Sequence, residues 1–318
     1  MDEPLSMDEP RAWINGREVP FSQLALPVWD LGVVAGASIT EMARTFCHQP
    51  FQLRQHLERL LASCTSLGFA TPFSVSDMES AAADLVRRNC ALIDTDDDLG
   101  IVAFVTAGAN RTYLGTADLP GGTVAIHTFR LPLELWRSAA EDGVCLTIPP
   151  RPQLPDSSLP ITHKTRNRLH WWLADREADA IESGSRALLL DSSGRMTETS
   201  TGCFYAVIDG TIVTPRSQVL NSMSRRIVAA AAADCGLRFE QRDLAADEVS
   251  TMSEAFLSST PSGLLPVRSI DRHLLNSQDH PSLMPRLLAY WEKVTGLNPL
   301  QQILKQPGSQ SDPGRRNP

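Results

Sequence analysis

Lys164 and Glu198 are the two residues in this sequence whose types and settings suggest covalent chemistry. A lysine amine freed of its proton is a nucleophile, a carboxylate can hold a proton or a cation, and the two could face one site. Lys164 sits in I-T-H-K-T-R-N-R-L, after a short extended run and immediately ahead of a predicted helix. Glu198 sits in D-S-S-G-R-M-T-E-T-S-T-G-C-F-Y, just past a turn at Asp191-Ser192-Ser193-Gly194. Neither residue is informative alone. A single Lys beside a helix and a lone Glu after a glycine turn are ordinarily solvated charges.

The elements that would position them follow from periodicity. Leu169, Trp172, Leu173, Ala180 and Ile181 recur at helical spacing with charges between them, so they are expected to form the buried face of an amphipathic helix. Residues 187–190 and 203–208 read as buried strands on either side of the glutamate turn. Upstream, residues 11–20 read as a hairpin turning at Asn15-Gly16. Alternation of Ile39, Glu41 and Ala43 suggests a strand, and 53–67 a helix stopped by Gly68. A second helix is expected over 75–89, and strands over 101–107 and 123–129. Asp209-Gly210 turns one strand into another, a long helix opens within 219–225 and ends near Cys235-Gly236, and a closing helix covers 281–296.

Composition bounds the rest. The 318 residues, 42% hydrophobic and 21% charged, are ordinary for a soluble globular protein with ample core. A net charge of −8 without a dense basic stripe argues against nucleic acid as a partner. Six cysteines without C-x-x-C spacing read as reduced, buried small hydrophobes, not as a disulfide frame or zinc site. The acidic run 94–98 lacks the glycine and distal glutamate of a calcium loop and reads as a solvated turn, so no metal is expected. No apolar run reaches membrane-spanning length and the M-D-E-P leader is no signal peptide, which makes the cytoplasm the default expectation.

The blocks around Lys164 and Glu198 resemble the core of the class IV aminotransferases, the fold-type IV pyridoxal-phosphate enzymes. That family includes branched-chain and D-amino-acid aminotransferases and aminodeoxychorismate lyase. It pairs a Schiff-base lysine, here Lys164, with a glutamate beside the pyridine nitrogen, here Glu198, in a block like E-G-x-x-x-N-x-F. The resemblance extends along residues 11–300. G-A-S-I-T-E-M-A-R-T-F (36–46) is similar to the family's G-D-G-x-x-E-x-x-R segment, which would set Glu41 and Arg44 on a strand lining the substrate side. L-R-Q-H-L-E-R-L resembles R-x-H-x-x-R-L, in which the second arginine, Arg59, reaches the cofactor phosphate. Arg111 and Tyr113 match an R-x-Y loop that would clamp a substrate carboxylate. Met223 and Ser224 fall where a helix N-terminus cups the phosphate, and Thr260 falls in a strand-turn like E-x-F-x-S-G-T that donates to it.

The resemblance implies a two-domain α/β (α+β) fold of the D-amino-acid-aminotransferase type, a homodimer, and pyridoxal 5′-phosphate wedged between the domains. The expected layout is a disordered leader over 1–10, a small N-terminal domain over 11–130 and a linker over 131–142. A large cofactor-binding domain over 143–300 and a disordered tail over 301–318 follow. The implied activity is amino transfer between an amino acid, branched-chain or D-configured, and a 2-oxo acid. The alternative is a lyase releasing pyruvate and 4-aminobenzoate from aminodeoxychorismate. T-R-N-R-L after the lysine keeps that alternative open, being closer to the lyase's K-x-L-N-R-L than to the G-x-N-Y usual in branched-chain enzymes. Cys203 replaces the asparagine of the glutamate block, and Thr40 and Leu169 stand where tyrosines commonly approach the ring.

Overall fold

The computed structural model describes residues 9–115, 119–275 and 281–306. Two compact units divide the chain: Met1–Leu131 with Ile161–Leu169, and Pro132–Pro160 with His170–Pro318. Most of the expected leader (1–8) and the end of the expected tail (307–318) lie outside the described residues.

In the first unit, β1 (Arg11–Ile14) and β2 (Arg17–Pro20) form the hairpin. Its two turn residues take positive φ, 47° at Asn15 and 85° at Gly16, which is why an Asn-Gly pair marks the turn. A short helix α1 (Leu31–Val34) leads to β3 (Ser38–Phe46), β4 (Gln49–Phe51), α2 (Leu53–Leu67) and α3 (Val75–Asn89). Then come β5 (Leu99–Thr106), the turn-length helix α4 (Arg111–Leu114) and β6 (Val124–Arg130). The described strands form an antiparallel sheet in the order β2-β1-β6-β5-β3-β4. Every residue of β5 is buried, because each face of the sheet is covered there. Ile101, Ala103 and Val105 pack with Leu57, Leu60 and Met78 of α2 and α3. Val102 and Phe104 pack on the opposite side with Ala125, Met42 and Phe129. That double burial explains an apolar run where a half-exposed strand would alternate.

The second unit opens with α5 (Arg137–Asp142) and β7 (Val144–Thr147). The expected linker over 131–142 is thus in part helical, a 3-10 turn at Leu133–Trp136 running into α5, with Leu133 and Ala140 buried. After α6 (Leu169–Ile181) come β8 (Arg186–Leu190), β9 (Met196–Thr199), β10 (Cys203–Ile208) and β11 (Thr211–Pro215). The chain continues through α7 (Met223–Asp234), β12 (Arg238–Arg242), β13 (Glu254–Ser259), β14 (Gly263–Ile270) and β15 (His273–Leu274). It closes with α8 (Met284–Thr295) and α9 (Pro299–Lys305). The mixed sheet runs β12-β11-β10-β13-β14-β7-β8-β9, with β15 added on β14. The helix α9, capped by Asn298 with proline at its first position, occupies what was expected to be tail.

The buried face of α6 differs from the expectation. Trp171, Ala174 and Ala178 are buried against Ala187 and Leu189, whereas Leu169, Trp172 and Ile181 are exposed. Two alanines at i+3 and i+7 from Trp171 let the helix lie close to β8, and small residues carry little weight in a periodicity dominated by large side chains.

Candidate active site

Lys164 does not lead directly into a helix. Four residues separate it from the start of α6 at Leu169, and the first of them belong to a strand-like stub on β3. Thr40 N–H donates to Lys164 C=O (2.8 Å), Thr165 bridges Ile39, and Arg166 N–H donates to Ser38 C=O (2.9 Å). Antiparallel pairing sets Lys164 opposite Thr40 and Arg166 opposite Ser38, on the sheet face away from α2 and α3. Arg166 confirms that direction: its guanidinium lies 4.5 Å from the ring centre of Phe104. His163, next door, points the other way. Its ring nitrogens meet Ser63 Oγ at 3.0 Å and Ser66 Oγ at 3.2 Å, both on α2. Main chain and neighbour together clamp the lysine's backbone.

Under α2, Glu41 is only 2% exposed and neither solvated nor turned to the substrate side, since it shares the helix-covered face with Ile39 and Ala43. It accepts from Arg59 Nε (2.5 Å) and Nη2 (2.7 Å) and meets His56 Nδ1 at 2.8 Å. Burial alone would raise the Glu41 carboxyl, but hydrogen bonds and charge from His56 and Arg59 hold it down at about 2. Burial pushes the His56 imidazole below its ordinary range, with Glu41 opposing. Arg59, expected at the phosphate, is therefore held by a fork onto Glu41.

Arg44, expected to bind substrate, is wholly buried: it pairs with Asp98 at 3.2 Å, donates to Thr45 C=O and stacks on Phe46 at 4.0 Å. A guanidinium committed to a buried carboxylate cannot meet a diffusible one, so the structure removes it from the substrate set. The same pair corrects the acidic turn, for Asp97 and Asp98 are buried against Arg130 and Arg44. Arg111 and Tyr113 lie exposed on α4, capped by Asn110. That loop is tied to the start of α1 by Leu31 N–H to Gly108 C=O (2.7 Å) and to the segment before it by Asn110 N–H to Trp29 C=O (2.9 Å).

In the second unit, Glu198 on β9 receives Leu220 N–H, 3.3 Å from each carboxylate oxygen. Leu220 C=O in turn accepts Ser222 N–H at 2.8 Å, and Met223 starts α7. The carboxylate and the helix N-terminus are thus joined through one short turn. Gly202 allows the glutamate block to turn closely past β13: a Cβ there would stand 3.0 Å from Ser258 O. Met223 and Ser224 are buried at the head of α7, and half-buried Thr260 follows β13. Ser222 is the N-cap, yet its side chain caps no first-turn N–H.

Sequence reasoning overlooked several polar groups. Arg166 takes the place of an apolar residue in the family's lysine block, and beside it His127 keeps a buried Nδ1 with no hydrogen-bond partner among the described residues. Desolvation, reinforced by the Arg166 charge, lowers the His127 imidazole to about 4. The hydroxyls of Tyr205 and Ser258, read only as strand residues, run in behind Ser224. An arginine where the K-x-L-N-R-L pattern has leucine was the one available signal.

The family description Amino-transferase class IV matches residues 38–270, spanning the lysine stub, the glutamate block and the head of α7. The chain belongs to the class IV aminotransferase family. It is a pyridoxal-phosphate-dependent enzyme of fold type IV, with a mixed α/β, two-domain architecture. A probable branched-chain-amino-acid aminotransferase of Rickettsia felis is 25% identical over 81% of this chain and 86% of that protein. A D-alanine aminotransferase of Bacillus licheniformis is 26% identical over 83% and 89%. Among solved structures, the branched-chain amino acid aminotransferase of Thermobaculum terrenum in its PLP-form superposes with a TM-score of 0.78 at 24% identity, over 92% and 95% of the two chains. The Thermoproteus uzoniensis enzyme with norvaline gives 0.79 at 24%, over 91% and 95%.

The residues of this chain fit the family's cofactor. A phosphate ester suits the α7 N-terminus, where first-turn N–H groups lack a side-chain cap and serine hydroxyls cluster. A protonated ring nitrogen suits the anchored Glu198 carboxylate, and an aldehyde suits a lysine amine on a fixed backbone. Among the described residues, no cluster of His, Cys, Asp or Glu could hold a metal ion, and no helix is long and apolar enough to cross a membrane.

Proposed function

We propose that this aminotransferase moves an amino group between an amino acid and a 2-oxo acid, with Lys164 bonding the cofactor and carrying the proton. The observation behind this reading is the clamp on Lys164, paired to β3 on one side and flanked by His163 on α2 on the other. A general acid/base must return to one position in every turnover. Bound pyridoxal phosphate supplies the sink for the electrons left when the substrate α-proton departs. The neutral Lys164 amine would take that proton from the α-carbon and return it two atoms away, across the substrate nitrogen. Glu198, steadied by Leu220 N–H, keeps the ring nitrogen protonated. Met223 and Ser224 at the head of α7, with Thr260 and with the Nη1 end of Arg59, whose Nε and Nη2 donate to Glu41, are assigned to the phosphate. Arg111 and Tyr113, exposed and anchored through Asn110, are assigned to the substrate carboxylate.

The donor in this reading is a branched-chain or D-amino acid, supported by similarity to relatives named for each. A homodimer and a cytoplasmic location complete the proposal, the latter supported by six cysteines that form no disulfide. Borohydride treatment followed by peptide mapping should find the cofactor fixed on Lys164. A donor panel followed by cofactor absorbance should show turnover only with a keto-acid acceptor. Sedimentation as a monomer at micromolar concentration would remove the dimer. The lyase reading keeps support from T-R-N-R-L and R-T-Y, and pyruvate released from aminodeoxychorismate without an acceptor would decide for it.

A further inference from the structure

We propose that Tyr205 is a positioning residue for the phosphate end of the site, orienting through Ser258 the hydroxyl hydrogen that Ser222 and Ser224 offer at the head of α7. The four side chains form a single file inside the second unit. Tyr205 Oη lies 2.9 Å from Ser258 Oγ, Ser258 donates to Ser224 Oγ at 2.8 Å, and Ser224 Oγ lies 2.9 Å from Ser222 Oγ. Tyr205, Ser258 and Ser224 are at most 1% exposed and Ser222 is 8% exposed, so water does not complete the file at its inner end.

A count of hydrogens gives the file its direction. Each hydroxyl has one to give. Ser258 gives its own to Ser224, so Tyr205 must be the donor to Ser258. Four hydroxyls share three bonds, and the hydrogen left over belongs to Ser222 or Ser224, whichever way their mutual bond points. It therefore emerges beside the first-turn N–H groups that the Ser222 side chain leaves uncapped. An anion is the ligand such a set of donors serves. The Cys203 thiol also touches the phenol, but a thiol is a weak donor and acceptor and competes poorly with Ser258 for the phenolic hydrogen.

The ring itself does not explain the residue. Tyr205 stacks on Phe256 (4.8 Å between centroids, 11° between planes), a contact phenylalanine would keep. The E-G-x-x-x-N-x-F pattern has phenylalanine at this place, so the hydroxyl is a departure from that pattern. Burying it is costly unless it is hydrogen-bonded, and its partner leads to the α7 N-terminus.

This inference rests on the phosphate lying at the head of α7, and the experiment separates the two. Cofactor-free Tyr205→Phe and wild type are titrated by equilibrium dialysis with pyridoxal 5′-phosphate and with pyridoxal, which lacks the phosphate. Tyr205→Phe should weaken pyridoxal phosphate about fivefold, as loss of one neutral hydrogen bond does, and leave pyridoxal unchanged. Ser258→Ala, which cuts the file, should show the same selective loss, and the double variant no more than Ser258→Ala alone. Equal weakening of both ligands, no weakening of either, or additive losses in the double variant would overturn the role of Tyr205. A wild type that does not prefer the phosphorylated ligand would overturn the phosphate placement itself, and the role of Tyr205 with it.

Discussion

The polar groups around Lys164 and those at the head of α7 are built from opposite materials. In the first unit Glu41, His56 and Arg59 are ionisable groups packed within hydrogen-bond reach under a helix, and on the same strand Arg44 is buried against Asp98. In the second unit Tyr205, Ser258, Ser224 and Ser222 are neutral hydroxyls in file. Buried charges demand near-complete pairing and respond to pH, whereas hydroxyls hold their arrangement across the range in which enzymes work. The first unit therefore stakes its stability on protonation states, and the second presents donors whose number does not change with pH.

Lys164→Ala gives the largest test of this contrast, for it removes the group on the first unit's sheet to which bond making and breaking is assigned above. Turnover should fall on the order of 10⁴-fold, the upper range for a positioned acid/base, while the fold persists by circular dichroism. Next, Glu41→Gln should lower unfolding stability by about 3 kcal/mol or more, since it removes the buried charge that Arg59 and His56 face under α2. Denaturant titration across pH sharpens the point. With its folded value held at about 2, Glu41 contributes stability that is present above the unfolded carboxyl value and lost as pH falls from about 5 toward 2. Wild type should show that acid loss, Glu41→Gln should lack its share, and Ser258→Ala should follow wild type in slope. A changed slope in Ser258→Ala would break the contrast.

Glu198→Gln should keep the fold and much of the cofactor affinity but lose about a hundredfold in rate, because an amide cannot hold the ring proton. Near-normal turnover would return Glu198 to an anchor for Leu220. The smallest effect belongs to the exposed loop of the first unit. Arg111→Ala should raise KM for amino and keto acids roughly tenfold and spare amines lacking a carboxylate, as loss of one charge-assisted contact predicts. Equal losses for both classes would mean that Arg111 only shapes its loop.

Local signals made much of this fold legible. The bounds of α2 and α3 follow from Gly68 in the left-handed region and from the Ser74–Asp77 capping box. The β1–β2 hairpin follows from Asn15-Gly16. What escaped depends on partners far away in the sequence. Arg44 and Asp98 stand 54 residues apart, and neither sequence neighbourhood announces a buried pair. The α6 face was misread because alanines carry it, and the stub at 164–166 because a bridge to β3 has no periodicity of its own. Of the site, the residue types at Lys164, Glu198 and Ser224 were readable by resemblance, while the groups steadying them, His163, Leu220 and Ser258, were not.

The bridge between Thr165 and Ile39 turns Lys164 into a tethered reagent. With its α-carbon fixed to a sheet, the amine explores only the small sphere that four side-chain torsions sweep, so its effective concentration at any point there far exceeds that of an amine free in solution. In the role proposed for it, the amine would leave and return by side-chain rotamer changes, on the picosecond-to-nanosecond scale, while the backbone bridge stays in place. A free amine added to Lys164→Ala would have to match that confinement by bulk concentration alone, and rescue would climb without saturating over any practical range.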